Sequence, residues 1–185
     1  MRRYLFAVLV ILVTLSSRAH DLYDGGKWRN HERHQEGKVY DANGKFIGLL
    51  AANNGDPGVL LTINGTVTFA AITHWTNGDI SSNTPYMPSK FEWSVTNAVG
   101  FESADCNGKP VIYPSIVGPR PSVVVREGGE AILYIAGDTN TVPIALHSQL
   151  LFTQCSKASA TSPWLRAEAS YSLTRHHPEP LTLGY

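Results

Sequence analysis

Val59-Leu60-Leu61-Thr62-Ile63-Asn64-Gly65-Thr66-Val67-Thr68-Phe69-Ala70-Ala71-Ile72 holds two runs rich in β-branched and apolar residues, reversed about an Asn-Gly pair. Asn and Gly tolerate the positive φ angles that tight hairpin turns require, so the stretch reads as an antiparallel hairpin. Its register has two solutions. A two-residue turn sets Ile63 opposite Thr66 and Leu61 opposite Thr68, mixing apolar and polar side chains on one face. A three-residue loop, 64–66, sets Ile63 opposite Val67, Leu61 opposite Phe69 and Val59 opposite Ala71. One face of a half-buried pair should be apolar throughout, and that favours the longer loop.

The same turn chemistry recurs at Asn43-Gly44, Asn77-Gly78 and Asn107-Gly108, and Gly128-Gly129 adds a glycine turn. In Asp41-Ala42-Asn43-Gly44-Lys45 the Asp suits the first position of a type I turn and the Gly a left-handed residue after it. That pairs Tyr40 with Phe46 and Val39 with Ile47. Further strands are expected at 91–95, 99–103, 111–113, 123–126, 131–136, 144–153 and 169–174, with Gly118-Pro119-Arg120-Pro121 as an extended connector. No exported stretch sustains a 3.6-residue apolar period. The fold class is therefore all-β: an antiparallel β-sandwich or barrel-like domain over residues 38–175, with one disulfide and flexible ends.

The start of the chain assigns a compartment. Met1-Arg2-Arg3 is basic, residues 4–15 are apolar but for Thr14, and Ser17-Arg18-Ala19 offers small residues for cleavage. The apolar stretch falls short of the about 20 residues that span a bilayer, so residues 1–19 read as a signal peptide with no stable membrane insertion after cleavage. Localisation is exported, periplasmic or extracellular. Residues 20–37 form a polar arm, and 176–185 a proline-containing tail outside the core.

Cleavage removes three of the 15 basic residues and none of the 15 acidic ones, leaving a net charge of about −3. No basic run longer than two residues survives, which argues against nucleic acid as a partner and leaves protein or glycan. Two cysteines, Cys106 and Cys155, remain in the exported part without a C-x-x-C, and an oxidising compartment favours their pairing. Closing that loop removes roughly 4 kcal/mol of unfolded-state entropy in the chain-entropy model.

The D-A-N-G-K hairpin at 41–45, then Ile63-Asn64-Gly65-Thr66-Val67, Cys106-Asn107-Gly108 and the late Cys155, resembles a recurrent pattern in exported bacterial β-domains. The resemblance implies fold and compartment, and no activity or functional residue comes with it.

Candidate chemistry is sparse. After cleavage His20 would carry a free α-amine beside its ring, and an N-terminal His with a second His, His74 or His147, can chelate copper. Proteins resembling lytic polysaccharide monooxygenases or small periplasmic copper carriers work this way, although His20-Asp21-Leu22-Tyr23-Asp24 matches no copper-enzyme pattern. His31-Glu32-Arg33-His34 is one residue short of the zinc motif H-E-x-x-H and reads as a solvated arm. Trp75 and Tyr86 suit a sugar-stacking platform, whereas Trp93, alternating with Phe91 and Val95, suits the core. No G-x-S-x-G elbow or phosphate-binding G-x-x-x-x-G-K is present. The functional expectation is a non-catalytic exported structural or binding domain without a cofactor, whose surface lies at 77–90 and 118–121. The alternatives are a copper oxidoreductase or carrier built on His20, and a carbohydrate-binding module.

Overall fold

The computed structural model describes residues 36–76 and 86–185. Its strands are β1 (Lys38–Tyr40), β2 (Phe46–Asn53), β3 (Asp56–Ile63), β4 (Thr66–Trp75), β5 (Met87–Trp93), β6 (Ala98–Phe101), β7 (Pro110–Ile112), β8 (Ser122–Glu127), β9 (Glu130–Ala136), β10 (Val142–Leu151), β11 (Gln154–Ser172) and β12 (Thr182–Gly184). One short helix, α1 (Leu173–His176), separates the last two. All ladders are antiparallel and form two six-stranded sheets, β12-β1-β2-β3-β4-β5 and β10-β6-β7-β11-β9-β8. Phe91 and Leu181 exchange backbone hydrogen bonds of 2.9 and 2.7 Å, so the first sheet nearly closes into a barrel. The antiparallel, barrel-like expectation holds.

The hairpin β8–β9 lies at the centre and is apolar on both faces. Val124, Leu133 and Ile135 pack with Val59, Leu61, Ile72 and Trp93 of the first sheet. Val123, Val125, Tyr134 and Ala136 pack the other way, with Val99, Phe101, Ile112 and Leu165. A strand buried on both sides reads as a continuous apolar run, as Val123-Val124-Val125 does. Gly128, at φ +63°, turns the pair at the expected Gly-Gly.

Cys106, in the β6–β7 connection, is bonded to Cys155 at the start of β11, with Cα atoms 5.9 Å apart. The bridge ties the connection of an inner strand pair to the edge of the long β10–β11 hairpin.

Three expectations are corrected. The β3–β4 turn is the two-residue one: Asn64 and Gly65 have φ of +51° and +79°, and Leu61 pairs with Thr68. The polar group this sends inward is satisfied, because Thr68, 0% exposed, donates its hydroxyl to the Arg120 carbonyl at 2.9 Å. Arg120 N–H donates to Val67 in return, so the connector 118–121 completes the core face that alternation alone judged unfavourable.

In the first hairpin Tyr40 pairs with Phe46 as expected, but Val39 pairs with Gly48. Ile47 is the extra residue of a bulge, which lets both Val39 and Ile47 reach the core.

The third correction concerns residues 176–185, which are not a tail outside the core. β12 pairs with β1, and Leu181 is fully buried. The segment between α1 and β12 is tied down at several points. Trp93 Nε1 donates to the His177 carbonyl at 3.1 Å, and Ala42 N–H donates to the Pro178 carbonyl at 2.9 Å. Glu179 accepts from Trp93 N–H at 2.6 Å and from both terminal nitrogens of Arg126, at 2.6 and 3.1 Å. Prolines on either side of Glu179 remove backbone donors without removing the carboxylate that anchors the segment.

The Glu179 side chain is 7% exposed and its Arg126 partner 25%. Removing the carboxylate leaves Trp93 N–H without its acceptor and Arg126 with only the Trp93 carbonyl at 3.3 Å and Glu92 at 4.0 Å. Glu179→Ala is expected to lower unfolding free energy by about 3–5 kcal/mol in a denaturant titration followed by circular dichroism. A loss under about 1 kcal/mol would show that the C-terminal segment is held by its apolar contacts instead.

Candidate functional site

The residues named from sequence do not converge. His20 and the 31–34 arm lie outside the described residues, as do 77–85 of the expected contact loop. His74, on β4, pairs across the sheet with Phe91 and packs its ring on Phe91 and Tyr86, with centroids 4.7 and 4.8 Å away. Its Nδ1 is buried without a partner among the described residues. His147 is exposed on β10 in the other sheet. Among the described residues no group of three His, Cys, Asp or Glu is placed to hold a metal. Tyr86 is 58% exposed and lies on His74, while Trp75 ends β4 opposite Met87 past a register shift. Trp93 is in the core as expected.

A groove is built elsewhere, at the seam between the two sheets. Two recesses of about 380 and 190 Å³ adjoin there, sharing Asn53, Asn54, Phe69 and Ser122. Asn53 and Asn54 enter through the two-residue β2–β3 turn, in which Asn54 and Gly55 have φ of +52° and +93°. Phe69 forms the floor. Its ring folds over Gly58, where an added Cβ would lie 2.5 Å from Cζ and 2.3 Å from the Ala70 carbonyl oxygen, so any side chain at 58 would displace the floor.

The walls are fixed by backbone bonds. Ser94 N–H donates to Ala71, Thr96 N–H to Val124, and Phe152 N–H to Asn97. Thr96 Oγ1 accepts from Val124 N–H at 3.0 Å, and Ser122 Oγ donates to the Phe69 carbonyl at 2.9 Å. Among the described residues the carboxamides of Asn53, Asn54 and Asn97 donate no hydrogen bond, so their donors face the groove or solvent. The lining carries one carboxylate, Asp56, and one guanidinium, Arg120, which lies 3.3 Å from Asp138. The connector expected to form surface, 118–121, supplies Arg120 and Pro121 to the smaller recess. Asn53, Asn54, Ser94, Thr96, Asn97 and Ser122 were not among the residues singled out from sequence.

A third recess, about 440 Å³, overlies the disulfide. Its acids are engaged: Asp105 accepts from Asn107, which holds its carboxyl below the usual range, and Glu127 accepts from Tyr134 Oη at 2.7 Å. Burial, and then Glu127, push the Tyr134 phenol up to about 12. Both acids serve the local structure.

Among the described residues Glu92, Asp41 and His177 are also buried; Glu92 accepts from Thr76 N–H and Oγ1 at 3.2 and 2.8 Å and lies 4.0 Å from Arg126, and His177 packs near Asp41. The His177 Nε2 lies 3.3 Å from Tyr171 Oη, while its Nδ1 is 4.0 Å from Asp41 Oδ2, too long for a hydrogen bond. The Asp41 carboxylate instead accepts the N–H groups of Asn43 and Lys45, both at 2.9 Å, closing the first hairpin. His176 is exposed and stacks on Tyr171 at 4.3 Å. This cluster braces the C-terminal segment and opens onto none of the three recesses.

Comparison with protein-family models, curated proteins and solved structures returned no match.

Burial, with Lys45 next, holds the His177 imidazole below its ordinary value; Asp41 opposes this and His176 adds to it. The neutral ring is thus the folded form. The stability it contributes is complete above the unfolded value, about pH 6.5, and is lost as pH falls from there through the folded value. Melting temperatures from pH 8 to pH 5 should fall more steeply for the parent chain than for His177→Gln. Equal slopes would show that His177 does not carry the acid sensitivity.

Proposed function

We propose that this chain is an exported, non-catalytic binding domain whose ligand seats in the Phe69 groove. The observation that carries the reading is the continuity of the two recesses across one floor, with carboxamides above it. The larger recess falls within the about 300–1,000 Å³ common for small-molecule sites. Two of its hydroxyls are engaged with the backbone rather than with a base: Ser122 with Phe69, Thr96 with Val124. A nucleophile needs the opposite arrangement, a hydroxyl in contact with a proton acceptor that is itself oriented by a third group.

Export is supported by the basic and apolar start ending at Ala19, and by a disulfide, which persists in oxidising compartments. Among the described residues no helix is long and apolar enough to cross a membrane. The copper alternative would need His20 to find His74 or His147, and those two lie on different sheets.

Two measurements test the proposal. Intact mass of protein from a secreting host should correspond to a chain beginning at His20 with both cysteines oxidised; a chain retaining Met1 with free thiols would remove the export reading. For binding, amide spectra of the full exported chain should be recorded with four probe classes: neutral oligosaccharides, acidic oligosaccharides, nucleotides and short peptides. At least one class should shift Asn53, Ser94, Thr96 and Ser122 together. If no class moves them, the groove is not a binding site.

A further inference from the structure

We propose that the groove takes a neutral oligosaccharide, held by the carboxamides of Asn53, Asn54 and Asn97 and stacked on Tyr113. This rests on the binding-domain reading and narrows it to a ligand class. The accessible chemistry points there. A carboxamide presents two donors and an acceptor, so it can meet two neighbouring hydroxyls that each donate and accept. Three such groups rim the two recesses, and none donates a hydrogen bond to another described residue.

Tyr113 supplies the second element. It lines the smaller recess and is 73% exposed, yet it is not loose: Trp164 meets its ring edge-on, with centroids 5.6 Å apart and planes at 75°. The ring is held by this contact while most of its surface stays reachable, as stacking on a sugar ring's C–H face requires.

The other classes fit less well. A phosphate or nucleic-acid backbone calls for clustered cations, and the lining has one, Arg120, facing Asp138. An acidic glycan would meet Asp56, which has no ion-pair partner among the described residues. Peptide recognition depends on apolar side-chain anchors, and the apolar floor here is almost closed: Phe69 is 9% exposed and Val124 4%. What remains reachable is mostly amide and hydroxyl, with one aromatic side chain and, at the edge of the smaller recess, Val117, a single apolar side chain where a peptide would need several anchors.

The test is titration calorimetry and amide spectra of the full exported chain with neutral oligosaccharides of glucose, mannose, xylose and N-acetylglucosamine. Acidic oligosaccharides and peptides are run beside them. A neutral oligosaccharide is expected to shift Asn53, Ser94 and Thr96 amides. Tyr113→Ala and Asn53→Ala should each weaken its binding about tenfold with the melting temperature of Tyr113→Ala unchanged. Tyr113→Phe, which keeps the ring, should bind as the parent does.

If peptides or acidic glycans move the groove and neutral ones do not, the ligand class is wrong while the binding domain stands. If neutral sugars bind but shift Trp75 and Tyr86 instead, the groove assignment is overturned. Silence of the groove to every probe overturns both readings.

Discussion

The β8–β9 hairpin has no face to give to water. Val124, Leu133 and Ile135 on one side and Val123, Val125 and Tyr134 on the other must all be covered, and a single sheet can cover only one side. Two layers are thus obligatory, and the rest of the chain arranges them. The hairpins β1–β2 and β3–β4, with β5, curl into the near-closed first sheet; β6, β7 and the second half of β11 cover the opposite face. Because burial of apolar surface is the main force favouring the fold, a polar residue at any of these hairpin positions would disturb the core that its side chain faces.

Covering one side brings a difficulty of closure. A six-stranded sheet that curls must join its first and last strands or leave an open edge. Here the chain end does the joining: β12 lies beside β1, Leu181 exchanges hydrogen bonds with Phe91 of β5, and Glu179 fixes the segment to Arg126 of β8. The ion pair therefore links the closing strand to the central hairpin. Mutual attraction alone would not justify burying it, since desolvation offsets much of that energy; its geometry does, because the same carboxylate also satisfies Trp93 N–H.

Much of this was legible in the residues. Gly-marked turns, β-branched runs and the cysteine pair suffice for an antiparallel, disulfide-bonded β-domain, and the D-A-N-G-K turn forms as its chemistry dictates. Two of the errors, the β3–β4 register and the C-terminal segment, share a cause: each was decided by a partner distant in sequence. The β3–β4 register depends on Arg120, 52 residues beyond Thr68, which accepts a hydroxyl that local alternation had no place for. Residues 154–163, rich in Ser, Ala and Thr, carry little strand propensity and are strand because β10 pairs with them. The C-terminal segment looked like a tail because its prolines are visible and Arg126 is far away. Asn54-Gly55 is different: the rule that marks the other turns applies to it equally, and reading it would have placed Asn53 and Asn54 at a loop tip.

The groove follows from the same two-layer constraint. Where two curved sheets diverge, their facing side chains no longer meet, and the gap is bordered by turns and connectors rather than by strand faces. Asn, Ser and Thr at such borders can meet backbone groups, here across long stretches of sequence: Thr96 accepts from Val124 N–H and Ser122 donates to the Phe69 carbonyl. Polar residues thereby bring amides and hydroxyls to a place where the apolar core comes near the surface, at Phe69. The floor is rigid because Gly58 lets the ring lie flat, and the rim is rigid because the turns are tight. A polar recess on a preformed scaffold would lose little conformational entropy if occupied, which is why the proposed binding site is this seam rather than the scattered histidines.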